Sequence, residues 1–173
     1  MRAQNRRRTA IALAVIMLLL LPAPAAGEDE DPEDGLPSWA WPVVTREVIV
    51  PFRAPAHEYG AGHRGIDIAA TPGEVVRSPA DGIVAFRGAV VDRQLLTIDH
   101  GSGLVTTFEP LVSTLNPGAI VAAGDEIGTV DVGGHARPGT LHLGVRLDGD
   151  YINPMLLFGG VPRAVLLPCC AAL

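Results

Sequence analysis

From Val43 onward the chain alternates between short β-branched runs and clusters of Gly, Asp, Asn and Pro. The runs are Val48–Val50, Ile66–Ile68, Glu74–Arg77, Gly82–Arg87, Leu95–Asp99, Leu104–Phe108, Ile120–Ala122, Glu126–Val130 and Leu141–Leu147. Runs of this length, closed by punctuation such as Ser78-Pro79-Ala80-Asp81-Gly82 or Asn116-Pro117-Gly118, have the signature of strands and turns. No segment after residue 35 carries a sustained 3.6-residue apolar period with caps, so the pattern predicts an all-β fold, a compact antiparallel sheet or barrel-like domain. Hairpins are expected over residues 82–99 and 95–108, the second turning at His100-Gly101-Ser102-Gly103. The segment Val121–Val130 repeats the texture of Thr71–Val76, each with a glycine turn before a strand.

Upstream the texture changes twice. Arg2, Arg6, Arg7 and Arg8 precede an apolar run from Ala10 to Leu21, and Ala23-Pro24-Ala25 offers a small-residue cleavage site, the build of a secretory signal peptide over residues 1–27. The competing reading is an uncleaved anchor, although the run is well short of the ~20 residues that span a bilayer. Residues 28–38, with Glu28, Asp29, Glu30, Asp31, Glu33 and Asp34, have little to bury and are expected to be an acidic linker. Trp39 and Trp41 then open an ordered domain over residues 39–160, followed by a tail over 161–173. Such a chain is expected to be secreted or held in the cell envelope, with no stable membrane insertion after cleavage.

The chain carries 13 basic and 19 acidic residues, and its formal net charge is −6. Residues 1–25 hold four of the basic residues and none of the acidic ones, which leaves −10 for the remainder. That charge argues against nucleic acid, which requires a basic footprint. All the basic residues are arginines, so a biotinyl- or lipoyl-type carrier role, otherwise compatible with the strand texture, lacks its attachment lysine. Cys169 and Cys170 are adjacent and near the C-terminus, where they cannot staple the domain.

Candidate chemistry centres on His63, Asp67 and His142. His63 and Asp67 lie an even number of residues apart and share one face if the segment is extended, and Thr140 and His142 do the same. Two imidazoles and a carboxylate suit zinc and leave a position open for water. From spacing alone, the alternative that each histidine is a hydrogen-bonded structural residue stays open.

The run Gly62-His63-Arg64-Gly65-Ile66-Asp67, then Gly73–Val84, Ile98–Gly103, Val121–Gly128, Leu141-His142-Leu143 and Asn153-Pro154 come in an order that resembles the lysostaphin/LytM-type zinc endopeptidases of peptidoglycan. The resemblance implies that His63, Asp67 and His142 hold Zn2+ and that peptidoglycan, or its peptide stems, is the substrate. It also implies two further histidines, and this chain has Thr140 and Pro110 at those positions. Neither side chain does proton chemistry near neutral pH. Two residues are candidate substitutes: His135, in the loop before the His142 run, and Glu109, whose side chain would have to be redirected if it alternates with that of Pro110. His57 and Glu58 could line the groove. The expected function is a secreted zinc metallopeptidase-fold protein at the cell wall with weak or lost hydrolysis. The alternative is a non-catalytic cell-wall-binding or amidase-regulating protein of this fold.

Overall fold

The structure, a computed structural model, describes residues 38–57, 59–133 and 137–159. The segments expected to be signal peptide and tail, including Cys169 and Cys170, lie outside the described residues. So do His135, Glu58 and all of the expected linker except Ser38.

The described residues contain no α-helix, and the fold is all-β as the apolar pattern predicts. The strands are β1 (Val48–Val50), β2 (Gly65–Ala69), β3 (Val75–Arg77), β4 (Gly82–Val90), β5 (Arg93–Asp99), β6 (Leu104–Glu109), β7 (Leu111–Val112), β8 (Ile120–Val121), β9 (Glu126–Val130), β10 (Thr140–Leu147) and β11 (Asp150–Ile152), followed by a 3₁₀ turn at Pro154–Leu156. An eight-stranded antiparallel sheet runs in the order β1-β2-β10-β6-β5-β4-β8, and β11 extends β10 along the edge that β2 leaves at Gly144. A second sheet has the order β3-β9-β7. The two segments of matching texture, Thr71–Val76 and Val121–Val130, meet in this small sheet as the pair β3–β9.

Both expected hairpins form, and the first is longer than its apolar run suggested. β4 continues through Gly88, Ala89 and Val90 and turns at Val91-Asp92 into Arg93. Two short strands, β7 and β11, were not anticipated, because two or three residues are too few to show a period.

Strand alternation divides the large sheet into two faces. Ile66 and Ile68 of β2, Leu141, Leu143 and Val145 of β10, Phe108 of β6, and Leu96 and Ile98 of β5 point one way and are fully buried. They form the core with Val76, Ile127 and Val130 of the small sheet. Burial of an aliphatic side chain contributes roughly 1.5–3 kcal/mol, so this layer is the main source of stability. The opposite face carries Asp67, His142, Glu109 and Thr97, polar residues that are nevertheless buried.

Trp39 belongs to the core, where its backbone N–H donates to the Leu157 carbonyl at 2.8 Å and its ring lies 4.7 Å from that of His100. His100 is a packing and hydrogen-bonding residue at its turn. Its Nδ1–H donates to the Asp81 carbonyl at 2.7 Å, which leaves Nε2 to accept from Thr106 Oγ1 at 2.9 Å. Burial pushes the imidazole below its ordinary 6.5, against the weaker opposing pull of the Asp81 carbonyl and the Asp99 charge. The unfolded chain therefore takes up this proton at a higher pH than the folded one. The resulting stability is complete above pH 6.5 and declines as pH falls from there towards the folded pKa. Denaturant titrations between pH 7 and pH 5 should show a loss of stability that His100→Gln reduces. Equal losses in the two proteins would contradict this account of His100.

Candidate metal centre

Three cross-strand neighbours stand in a row on the polar face. His142 of β10 is directly opposite Asp67 of β2 on one side and Glu109 of β6 on the other. Directly opposed residues of an antiparallel pair point to the same face, so all three side chains project together. His63 precedes β2, where reciprocal backbone hydrogen bonds tie it to Arg53 at 3.0 and 2.9 Å.

The side chains of His63, Asp67 and His142 converge. His142 Nδ1 lies 2.7 Å from Asp67 Oδ1, His63 Nε2 lies 3.0 Å from the same oxygen, and the two ring nitrogens are 3.2 Å apart. His63 Nδ1 is 2.9 Å from the Pro51 carbonyl, which can only accept, so this nitrogen carries a proton, and in the neutral tautomer the Nε2 lone pair points inward. A backbone acceptor behind a histidine is the usual way to fix the tautomer and orientation of a metal ligand.

The donor set fits a divalent cation. In their metal-ligating forms three lone-pair donors face one another here, an arrangement that a cation at their centre would satisfy. Ligands held ~2.0–2.1 Å from one zinc at tetrahedral angles stand about 3.3–3.4 Å apart, so the observed spacings need only a small outward shift. Asp67 is held below the usual carboxylate range. Its burial is the largest single influence and acts the other way, but the hydrogen bonds and charges of His142 and His63 together outweigh it. The carboxylate is thus kept in the form that ligates metal.

Gly65 makes room for the His142 ring. A Cβ there would lie 2.7 Å from both Cε1 and Nε2 of His142 and 2.4 Å from the Leu143 carbonyl oxygen. We expect Gly65→Ala to displace the ring and weaken metal binding by roughly 10–100-fold, the scale of changes to groups supporting a ligand. Competition with a zinc-binding dye measures this, and unchanged affinity would show that the ring has room to move.

Glu109 needs no redirection. As the partner of His142 it already faces the row, and Arg93 Nε donates to its Oε2 at 2.5 Å. Arg93, at the start of β5, went unnoticed in the sequence because an arginine beside a turn reads as a solvated charge. Pro110 and Thr140, the positions that lack histidine, line a single cleft of ≈ 230 Å³. Thr140 Oγ1 donates to the Arg137 carbonyl at 2.7 Å, so its hydroxyl is committed to a turn. His57 is exposed and its carbonyl closes a turn with the Gly60 N–H, so it is not in the cluster.

The peptidase family M23 model matches residues 61–154. The uncharacterized protein Rv2891 of Mycobacterium tuberculosis is 30% identical over 129 residues, covering 70% of this chain and 52% of that protein. The DD-carboxypeptidase/endopeptidase Mpg of Neisseria meningitidis serogroup B is 33% identical over 94 residues, 54% of this chain and 22% of that protein. Among solved structures, Csd3 of Helicobacter pylori superposes with a TM-score of 0.57 at 26% identity, over 75% of this chain and 36% of that one. The chain thus spans about half the length of the mycobacterial relative. The matched segment takes in β2 to β11 with the whole His63–Asp67–His142 cluster, and by that match the chain belongs to peptidase family M23.

Proposed function

We propose that the chain is an exported zinc-dependent peptidase-fold protein that binds peptide stems of peptidoglycan at the cell wall and cleaves them slowly. The observation that carries this reading is the convergence of His63 Nε2, Asp67 Oδ1 and His142 Nδ1 within 3.2 Å, on a domain of a peptidase family. Zinc held there would polarise a peptide carbonyl and acidify a water molecule.

The remaining work falls to the chain's own residues. Asp67 and the two histidines fix the position at which a scissile carbonyl is presented. Glu109 lies next to His142 on the same face and is the described carboxylate best placed to take a proton, although Oε2 already accepts from Arg93. His135 is the other candidate for this role. Proton transfer by a well-placed group is worth roughly 10²–10⁴-fold, so a chain with Thr140 and Pro110 in place of two imidazoles should turn over slowly.

The same two positions favour a second reading: a protein that binds wall peptides without cleaving them and regulates an amidase. Incubating the zinc-loaded chain with purified cell walls and measuring newly released peptide amines separates the two. Slow release, lost with His63→Ala and reduced by Glu109→Gln or His135→Ala, supports hydrolysis. Tight wall binding with no release supports the binding role.

A further inference from the structure

The cleft beside the metal cluster is more than the space left by two missing side chains. Pro110 and Thr140 line it together with Pro72, Pro138, Asp131 and Arg137. The prolines fix local backbone angles, which favours a preformed wall over a collapsing one. Two opposite charges border it, and among the described residues neither Arg137 nor Asp131 has an ion-pair partner, the other included.

Each charged residue is anchored at one of the two positions that lack histidine. The Asp131 backbone N–H donates to the Pro110 carbonyl at 3.0 Å. The Arg137 carbonyl accepts from Thr140 Oγ1 at 2.7 Å and from the Thr140 N–H at 3.1 Å. Thr140 also lies on the same strand face as His142, two residues away, so the cleft adjoins the metal cluster.

We propose that this cleft is a subsite for a zwitterionic amino-acid end of a peptide, with its carboxylate on the Arg137 guanidinium and its ammonium on Asp131. A cation and an anion that border one cleft and are not paired with each other match a ligand that carries an ammonium and a carboxylate on one carbon. Guanidinium binds carboxylate through a planar fork, which gives geometric selectivity that a lone amine cannot supply. This inference rests on the reading of the chain as a peptide-binding member of its family, and it names the group on the peptide that is recognised.

The test uses the full zinc-loaded chain and calorimetric titration with two stem tripeptides. One ends in meso-diaminopimelate, whose side chain terminates in a free amino-acid group, and the other has lysine there, with the amine but no carboxylate. The wild type should prefer the first by roughly 10–100-fold, the range expected for a charged hydrogen-bonded contact. Arg137→Gln should abolish the preference, and Asp131→Asn should weaken both peptides alike. Zinc content should be unchanged in both variants, which shows that the neighbouring site is intact.

Equal affinity of the wild type for the two peptides, binding of neither, or a preference that survives Arg137→Gln would overturn the proposal. Failure of the catalytic reading looks different: the diaminopimelate preference persists while no amines are released from cell walls. Hydrolysis without any preference would remove the subsite alone.

Discussion

Installing histidine at both Thr140 and Pro110 is expected to raise peptide release from cell walls by roughly 10²–10⁴-fold, the contribution of general acid–base assistance. The three candidate ligands already converge within 3.2 Å, while a proline and a threonine hydroxyl committed to the Arg137 carbonyl contribute no proton transfer. The space is present too, because both positions line one cleft of ≈ 230 Å³. Imidazoles placed there would occupy that cleft and cut the Thr140–Arg137 hydrogen bond. The gain in rate should therefore come with loss of the diaminopimelate preference. A double variant that folds, holds zinc and releases no more amine than the wild type would show that hydrolysis is limited elsewhere.

His142→Ala is expected to lower zinc affinity by more than about 100-fold, beyond the usual effect of losing a supporting group. His142 is the pivot of the cluster, with Asp67 opposite it on one strand and Glu109 on the other. Its removal leaves two ligands and an open pocket. The effect should also appear in stability, because a ligand that binds only the folded state adds about 2.7 kcal/mol at a hundred-fold excess over Kd. Zinc should raise the Tm of the wild type and leave that of His142→Ala almost unmoved. Equal zinc-induced shifts in the two proteins would mean that the ion binds elsewhere.

Much of this architecture is legible in the chain, because local signals dominate where strands are long and turns carry glycine, proline or aspartate. The β5–β6 hairpin, from Leu95 to Phe108, shows both its alternation and its turn. The two-residue strand β7 does not, and neither does the register that joins distant segments. Asp67 and His142 are 75 residues apart, and nothing local specifies that they oppose each other. Their pairing follows from burying Ile66, Ile68, Leu141 and Leu143 together on the far face, since a one-residue slip would turn those side chains outward.

The orientation of Glu109 was hidden for the same reason. Counting alternation from Pro110 turns Glu109 away from the row, whereas its register with His142 turns it in. Arg93 and Arg137 gave no local sign of a role. Arginines beside turns are common on surfaces, and only the assembled sheet brings one to the Glu109 carboxylate and the other to the cleft wall.

We propose that one zinc ion is held jointly by His63, Asp67 and His142. A crystal of the zinc-loaded chain, measured on both sides of the zinc absorption edge, tests it most directly. The expected result is a single anomalous peak about 2.0–2.2 Å from His63 Nε2, Asp67 Oδ1 and His142 Nδ1. A peak elsewhere, or none at this cluster in fully loaded protein, would contradict the account.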